Sequence, residues 1–292
     1  PDYPAVIYAG DLDDDGVVEV LEAFYEDGVL LPMKERGMVS ASLDFVMEEF
    51  DTYQEFAEST FEEIYGSRLD KATRFEAATL AHTIFWNDGS GRFSAEEMPA
   101  LAQLSASYGI VAADFDNDGH EDIYFAGNFR HADHETMAYD GGTSSWLRGH
   151  GDGTFTLVPS VESGLSVPQE ARGVAVADYN QDGWMDIVVA LNNETPLLFK
   201  NDGNGDNNYI HVILEGDLAN PTGIGARVTV DHANGTTTRE ISGGSGYLSQ
   251  NSPVQVFGLG TGTTANVTVR WANGTTSSVE NVSAGETITV SP

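Results

Sequence analysis

Three acidic segments of the chain have the residue types and the spacing of a cation-binding loop. Each places side-chain oxygens at positions 1, 3, 5 and 9 and a glycine at position 6. Glycine permits a sharp turn, alternate side chains then converge on one side of it, and hard oxygen ligands suit calcium. The oxygen-bearing residues are Asp11, Asp13, Asp15 and Glu19 in loop 1 (11–19), Asp114, Asp116, Asp118 and Asp122 in loop 2 (114–122), and Asp178, Asn180, Asp182 and Asp186 in loop 3 (178–186).

A solvated acidic turn is the alternative interpretation of each segment, because Asp, Asn and Gly also favour ordinary turns. Carboxylates this close would nevertheless repel one another without a counter-ion. The same spacing occurs three times, which favours the cation-binding interpretation. The sequence therefore predicts about three Ca²⁺ sites.

The elements on either side of the loops distinguish two kinds of calcium site. Loop 1 satisfies the EF-hand pattern because Glu22 stands at position 12, but loops 2 and 3 have Phe125 and Val189 there. Short β-like runs at 108–113, 123–126, 173–177 and 187–191 flank loops 2 and 3. We therefore expect the loops to join strands rather than helices.

A helical segment interrupts the β-like pattern at about 40–81. Apolar residues from Leu43 to Phe50 recur at helical spacing, and Thr52 and Glu55 could form a capping box for a helix that ends at Gly66. A further helix is predicted from about Leu69 to Ala81. Without this segment the successive acidic loops are separated by roughly sixty residues, a period that indicates a propeller or a similar repeat array.

Gly-rich turns form a second recurring element. They are Asn87–Phe93, His150–Phe155 and Asn201–Gly205. Asp202, Asn204 and Asp206 could form another cation loop, which we rank below the first three.

The acidic loops and Asn-Asp-Gly-x-Gly-x-Phe turns resemble FG-GAP/VCBS repeats, the blades of integrin-α-like β-propellers. The resemblance implies calcium bound between two strands of a blade, by the twelve side chains given above and by the position-7 carbonyls of Val17, His120 and Trp184. Two departures affect this expectation. Glu19 replaces the usual Asp and reaches further, and Asn180 removes one charge, which weakens the third site.

The region after Asn208 is richer in Thr, Gly and Val. Strand-like runs at 209–214, 226–230, 254–257, 267–271 and 287–290 indicate a small all-β domain. Its phrases Gly223–Val228, Gly246–Gln250, Phe257–Gly260 and Trp271–Gly274 resemble the ASPIC/UnbV domain, which follows such repeats in cartilage-acidic-protein-like and bacterial surface proteins. The predicted organisation is mainly β, with propeller blades at 1–207 and an ASPIC/UnbV-like domain at 208–292.

The net charge of −33 limits the partners. Nucleic acid and anionic membrane surfaces would be repelled, and no apolar run is long enough to insert in a membrane. The excess of acid indicates either a salty or marine habitat or an acidic extracellular protein. There is no Cys, which excludes disulfides, thiol chemistry and zinc–thiolate sites but does not fix the compartment. The chain starts inside a strand-like run, so we expect a mature or truncated piece. Asn-x-Ser/Thr sequons occur at Asn193, Asn234, Asn266, Asn273 and Asn281 and would mark glycosylation sites in a suitable host.

No familiar catalytic motif is present. His131 and His134 form the only histidine cluster, with Asp133 and Glu135, but without the spacing of a helical zinc motif. We therefore expect a non-catalytic, extracellular or cell-surface binding or adhesion module for a protein or glycan. A secreted carbohydrate- or ester-active enzyme that uses the propeller face, and a self-assembling subunit of a surface filament, remain the alternatives.

Overall fold

The computed structural model describes residues 3–130, 138–203 and 205–292. The protein is mainly β, as predicted. Residues 3–98 form one compact unit, unit 1, and the remaining described residues form unit 2. The predicted cluster at 131–135 and Asn204 lie outside the described residues. No helix of the described chain is long and apolar enough to cross a membrane.

Unit 1 consists of a four-stranded antiparallel sheet, a hairpin and a helical segment. The sheet has the order β3-β2-β1-β4, and β5 pairs with β6. The strands are β1 (Ala5–Gly10), β2 (Glu19–Glu26), β3 (Val29–Pro32), β4 (Thr73–Ala77), β5 (Thr83–Asn87) and β6 (Phe93–Glu97). The helices are α1 (Arg36–Val39), α2 (Phe45–Glu49), α3 (Tyr53–Glu58) and α4 (Phe61–Tyr65), followed by a 3₁₀ turn (Gly66–Lys71).

The helical segment supplies most of the unit 1 core. Leu43, Val46, Phe61 and Ile64 are almost fully buried and pack with Val6 of β1 in one cluster. This burial explains the helical spacing of apolar residues in the sequence. Phe56 and Tyr65 belong to the same core, whereas Tyr53 is exposed.

Caps divide the predicted second helix into α3 and α4. Thr52 Oγ1 accepts from Glu55 N at 3.1 Å, but Glu55 Oε2 accepts from Asp51 N rather than completing the predicted box. The complete capping box lies at α4, between Thr60 and Glu63.

The predicted helix from Leu69 to Ala81 is wrong. The chain forms the 3₁₀ turn and then β4, which pairs antiparallel with β1 in a register that sets Ile7 opposite Phe75. Without β4, one side of β1 would carry unpaired backbone groups. Tertiary pairing therefore overrides the weak local preference of this segment.

Two antiparallel meanders in unit 2 carry loops 2 and 3. The first has the order β10-β9-β8-β7 and the second β11-β12-β13, so neighbours in sequence are neighbours in the sheet, as in propeller blades. Their strands are β7 (Ser107–Ala113), β8 (Asp122–Gly127), β9 (Ser145–Gly149), β10 (Phe155–Val158), β11 (Ala171–Ala177), β12 (Asp186–Leu191) and β13 (Leu197–Phe199). A 3₁₀ turn (Ala100–Gln103) precedes them, and α5 (Ser160–Ser163) follows β10.

The C-terminal part of unit 2 is a two-sheet β-domain. Its sheets have the orders β17-β14-β20 and β16-β15-β18-β19. The strands are β14 (Asn208–Leu214), β15 (Arg227–His232), β16 (Gly235–Glu240), β17 (Gln255–Gly260), β18 (Thr264–Arg270), β19 (Thr276–Ser283) and β20 (Thr287–Val290). The sequence did not predict β16 and β19, whose polar, Thr- and Ser-rich faces lack an apolar run.

The meanders and the C-terminal domain have separate hydrophobic cores. Sixteen buried residues between Ile210 and Val290 form the core of the C-terminal domain. The core of the two meanders spans Val111 to Val189 and also includes Val256 of β17. The proposed boundary at 207/208 remains a prediction, because both parts belong to one compact unit.

The three acidic loops connect antiparallel neighbours in the same register. The strand residue before each loop pairs with position 9, as Gly10 with Glu19, Ala113 with Asp122, and Ala177 with Asp186. The loops therefore join strands, as their flanks predict. This common register places the three sets of carboxylates in equivalent positions of their sheets.

Candidate metal centre

The three loops share one backbone conformation. Position 4 is left-handed in each, with φ of 66° at Asp14, 56° at Asn117 and 61° at Gln181. The position-6 glycines have φ between 89° and 94°. Only glycine adopts this last conformation readily, so the glycine in the motif is a backbone requirement.

Position 1 and position 9 hold the loop through backbone amides. In loop 2 the two oxygens of Asp114 accept from Asp118 N at 3.1 Å and Gly119 N at 2.8 Å. The position-1 residues of loops 1 and 3 make the same pair of bonds. Asp122 accepts from Phe115 N at 3.1 Å and from Gly149 N at 2.8 Å, which ties the loop to β9.

In loop 2 the oxygens converge as a cation site requires. One carboxylate oxygen from each of Asp114, Asp116 and Asp122 lies within 4.8 Å of the others. Asp116 Oδ2 pairs with Arg148 Nε at 2.8 Å, whereas Asp116 Oδ1 is buried and has no hydrogen-bond partner among the described residues. A buried oxygen without a partner is costly, and a hard cation would satisfy it. The donor set of loop 2 therefore fits a metal ion.

The electrostatics of loop 2 favour the same conclusion. Burial is the main cause that raises the pKa of Asp114 well above its ordinary value and the pKa of Asp122 to about 7. Burial also raises the pKa of Asp116, and the neighbouring Asp118 carboxylate raises it further. These carboxylates are disfavoured as a group of anions, and a bound cation would relieve both desolvation and repulsion.

Loop 1 offers a more exposed version of the site. Oxygens of Asp11, Asp13 and Asp15 lie within 4.8 Å of one another. Asp13 and Asp15 are exposed, while Glu19 is buried and its Oε2 accepts from Leu12 N at 2.9 Å. Glu19 thus accepts the same backbone hydrogen bond from position 2 as Asp122 does in loop 2, despite its longer side chain.

Loop 3 has the same backbone but different neighbours. Asn180 leaves it with three carboxylates, and burial raises the pKa of Asp186. His211 of β14 places Nε2 2.7 Å from Asp178 Oδ2, and both side chains are buried. Lys200 Nζ lies 3.7 Å from Asp182 Oδ2. Because it has one carboxylate fewer than loops 1 and 2, loop 3 should be the weakest site, as Asn180 already predicts.

The position-7 residues Val17, His120 and Trp184 occupy equivalent places in the loops. The backbone N–H of each donates to the position-5 carboxylate, at 2.7, 2.8 and 3.1 Å. Ligation by their carbonyls remains a prediction.

The outer surface of loop 2 is covered by the C-terminal domain and by the segment leading into it. Four successive backbone carbonyls, at positions 3 to 6, accept hydrogen bonds from these residues. They are Asp116 O from Asn207 Nδ2 (2.8 Å), Asn117 O from Gly260 N (2.9 Å), Asp118 O from Asn234 Nδ2 (3.0 Å) and Gly119 O from Thr237 Oγ1 (3.1 Å). Loop 2 thus directs its side chains to the candidate ion and its carbonyls to the domain.

A salt bridge and a close backbone approach complete this contact. Arg239 Nε of β16 donates to Glu121 Oε1 at 2.6 Å. At Gly258 a Cβ atom would lie 2.0 Å from Asp114 Oδ2, so any larger residue would displace the position-1 carboxylate. Loops 2 and 3 also touch, because Asn117 Nδ2 donates to Gly183 O at 3.0 Å.

Gly183→Ala should destabilise unit 2 much more than Gly274→Ala. The two glycines have nearly equal φ, 90° and 87°, so both variants meet a similar backbone strain. At Gly183 the new Cβ would also lie 2.0 Å from the Tyr209 ring, whereas nothing lies within 4 Å at Gly274. Overpacking adds about 1–3 kcal/mol. Denaturant unfolding measures the difference, and equal losses of stability would contradict the packing of Tyr209 on loop 3.

Two regions of the chain match known protein families. The family model described as "FG-GAP-like repeat" matches residues 79–125 and 136–189, which include loops 2 and 3. The model described as "ASPIC and UnbV" matches residues 216–292. The chain therefore contains FG-GAP-like repeats and an ASPIC/UnbV domain, which confirms the resemblance seen in its motifs.

The chain is similar to proteins named cartilage acidic protein 1. It is 30% identical to the mouse protein and 31% identical to the human protein over 186 residues, or 59% of this chain. It is 31% identical to the Xenopus tropicalis protein over 165 residues, or 52% of this chain. The matches cover 26%, 26% and 23% of those proteins, so the chain spans about a quarter of their length.

Proposed function

We propose that the protein is an extracellular, non-catalytic binding module that calcium stabilises and that recognises a protein or a glycan. The unpartnered, buried Oδ1 of Asp116 carries the calcium part of the proposal. Loop 2 would hold the ion through its four carboxylates, and the ion would supply positive charge that fixes the β7–β8 connection. Loop 1 offers a comparable cluster, and loop 3 a weaker one.

The distribution of perturbed carboxyl groups supports a non-catalytic role. The carboxyl groups of Asp114, Asp116, Asp122 and Asp186 have raised pKa values, and all four lie in loop 2 or loop 3. Catalytic acids and bases are commonly recognised by such shifts in a cleft. Here cation loops account for them.

Composition and relatives support the extracellular location. The net charge of −33 disfavours nucleic acid as a partner. The relatives' name connects them with cartilage and with acidity. Extracellular calcium-binding modules commonly bind the ion with millimolar-range affinity, which suits exposed or partly buried carboxylate loops.

Affinity capture from host surface extract tests this function. The immobilised protein should retain a protein or a glycan-bearing component in calcium and release it in chelator, because the loops order the surface that binds. The protein should also convert none of the compounds when it is incubated with a panel of glycans and esters. Turnover that is lost on mutation of carboxylates outside the loops would instead establish an enzyme.

The filament alternative predicts a different behaviour of the pure protein. A subunit of an assembly would pair through exposed strand edges and grow with concentration. Size-exclusion chromatography with light scattering should give a concentration-independent mass for a binding module. A mass that rises with concentration would favour self-assembly over the proposed role.

A further inference from the structure

A cavity of about 270 Å³ lies between the two meanders of unit 2. It is bordered by β9, β12, β13 and α5, and Asp116 of loop 2 forms part of its wall. This volume is close to the lower end of the range for small-molecule sites, roughly 300–1,000 Å³. It therefore accommodates one small ring rather than an extended ligand.

The inner wall of this cavity is apolar and rigid. Phe115, Trp146 and Phe199 supply aromatic surface, and buried Met185 and Ile187 complete it. The Trp146 ring is held edge-on against Phe115, with centroids 6.3 Å apart. The guanidinium carbon of Arg148 lies 5.0 Å from the centroid of the Trp146 ring. A wall fixed in this way loses little conformational freedom when a ligand enters.

The rim of the cavity alternates hydrogen-bond donors and acceptors. Arg148 and Lys200 donate, while Glu162 and Asp202 accept. The Glu162 side chain is exposed and has no hydrogen bond or ion pair to the described residues. Lys200 is paired only at the surface, with Asp202 at 2.6 Å and Asp182 at 3.7 Å. Such surface pairs are weak and can be exchanged for ligand contacts.

We propose that this cavity binds one pyranose ring of a glycan. An aromatic wall complements the C–H face of the ring, and closely spaced donors and acceptors complement its hydroxyl groups, which both donate and accept. A strongly anionic ligand is disfavoured by the chain's net charge of −33. A neutral sugar satisfies the rim without that repulsion. The inference deepens the proposed binding function and depends on it.

The test uses methyl pyranosides of glucose, galactose, mannose, fucose and N-acetylglucosamine, with acyclic sorbitol as a control. Saturation-transfer NMR at saturating calcium should give a signal for at least one pyranoside, strongest for the protons of one ring face. Titration should then give a dissociation constant in the millimolar range. Sorbitol should give no comparable signal, because it lacks the rigid face that packs on Trp146.

Substitutions in the cavity and a control substitution outside it test whether the pyranoside binds in the cavity. The double variant Glu162→Ala, Lys200→Ala removes rim groups that are exposed and should weaken binding at least fivefold without unfolding the protein. Trp146→Phe keeps the aromatic core contact and should weaken binding less than Trp146→Leu. Glu280→Ala, an exposed change on β19, should leave binding unchanged.

Two results would overturn the pyranose site. One is the absence of a signal for every pyranoside with folded, calcium-loaded protein. The other is binding that sorbitol matches or that the rim double variant leaves unaltered. In either case a calcium-dependent protein partner in the capture experiment would leave the proposed function standing, so the two failures are distinguishable.

Discussion

Calcium is expected to raise the melting temperature of the metal-free protein, and Asp116→Asn to reduce the part of that increase due to loop 2. A ligand that binds only the folded state at about 100 times its dissociation constant adds about 2.7 kcal/mol. For a unit of this size each kcal/mol corresponds to about 2–4 °C. We therefore expect loop 2 alone to contribute about 5–10 °C, measured by calorimetry with calcium and with chelator.

Asp116→Asn is chosen because it separates ion binding from folding. Loop 3 keeps the same backbone conformation with Asn180 at this position, so an Asn is compatible with the fold of the loop. Glu280→Gln is the matched control, since it removes one negative charge at an exposed position of unit 2. Its calcium-dependent increase should equal that of the unchanged protein. A melting curve that is identical with calcium and with chelator would contradict the calcium interpretation altogether.

Loss of the contacts between loop 2 and the C-terminal domain is expected to weaken calcium binding. Asn234→Ala with Thr237→Val removes two side-chain hydrogen bonds to the carbonyls of Asp118 and Gly119. Each such bond contributes about 1 kcal/mol. If the domain and the ion stabilise the same loop conformation, the dissociation constant should rise about tenfold or more, because 1.4 kcal/mol corresponds to a factor of ten.

Thr236→Val provides the control for this second prediction. Thr236 adjoins Thr237 on β16, but its hydroxyl donates to Asp231 Oδ1 within the domain. Calorimetric titration should give an unchanged calcium affinity for Thr236→Val. Linkage also requires the reverse effect, so calcium should slow hydrogen exchange of the Gly260 amide, which donates to Asn117 O, more than that of Trp271. An equal calcium affinity in the double variant and the control would exclude the coupling.

The sequence predicts the loops well because their requirements are local. Glycine at position 6 and carboxylates at alternate positions act within nine residues, and the β-like flanks agree with them. The C-terminal strands at 209–214 and 287–290 are also predicted, because apolar side chains mark their buried faces. Prediction fails at β4, whose pairing with β1 connects residues far apart in sequence.

The contacts of loop 2 with the C-terminal domain leave almost no signal in the sequence. Backbone carbonyls accept the bonds, so no residue type at positions 3 to 6 reports them. His211, Arg148 and Arg239 reach the loops from strands whose pairing must be known first. Gly258 is the exception, because a glycine inside a strand indicates a close backbone approach. Here that approach is to Asp114.

The contact at Asn234 is exposed to slow, spontaneous deamidation. Asn234 is followed by Gly235, and its side-chain amide donates to Asp118 O at 3.0 Å. In an Asn-Gly pair the unhindered backbone nitrogen attacks the side-chain amide more readily than before other residues, releasing ammonia. The cyclic imide that forms is then opened by water to aspartate or isoaspartate, which places a negatively charged acceptor against the carbonyl of loop 2. Ageing by deamidation would therefore loosen the C-terminal domain from the loop, one molecule at a time, without any enzyme or change of calcium concentration.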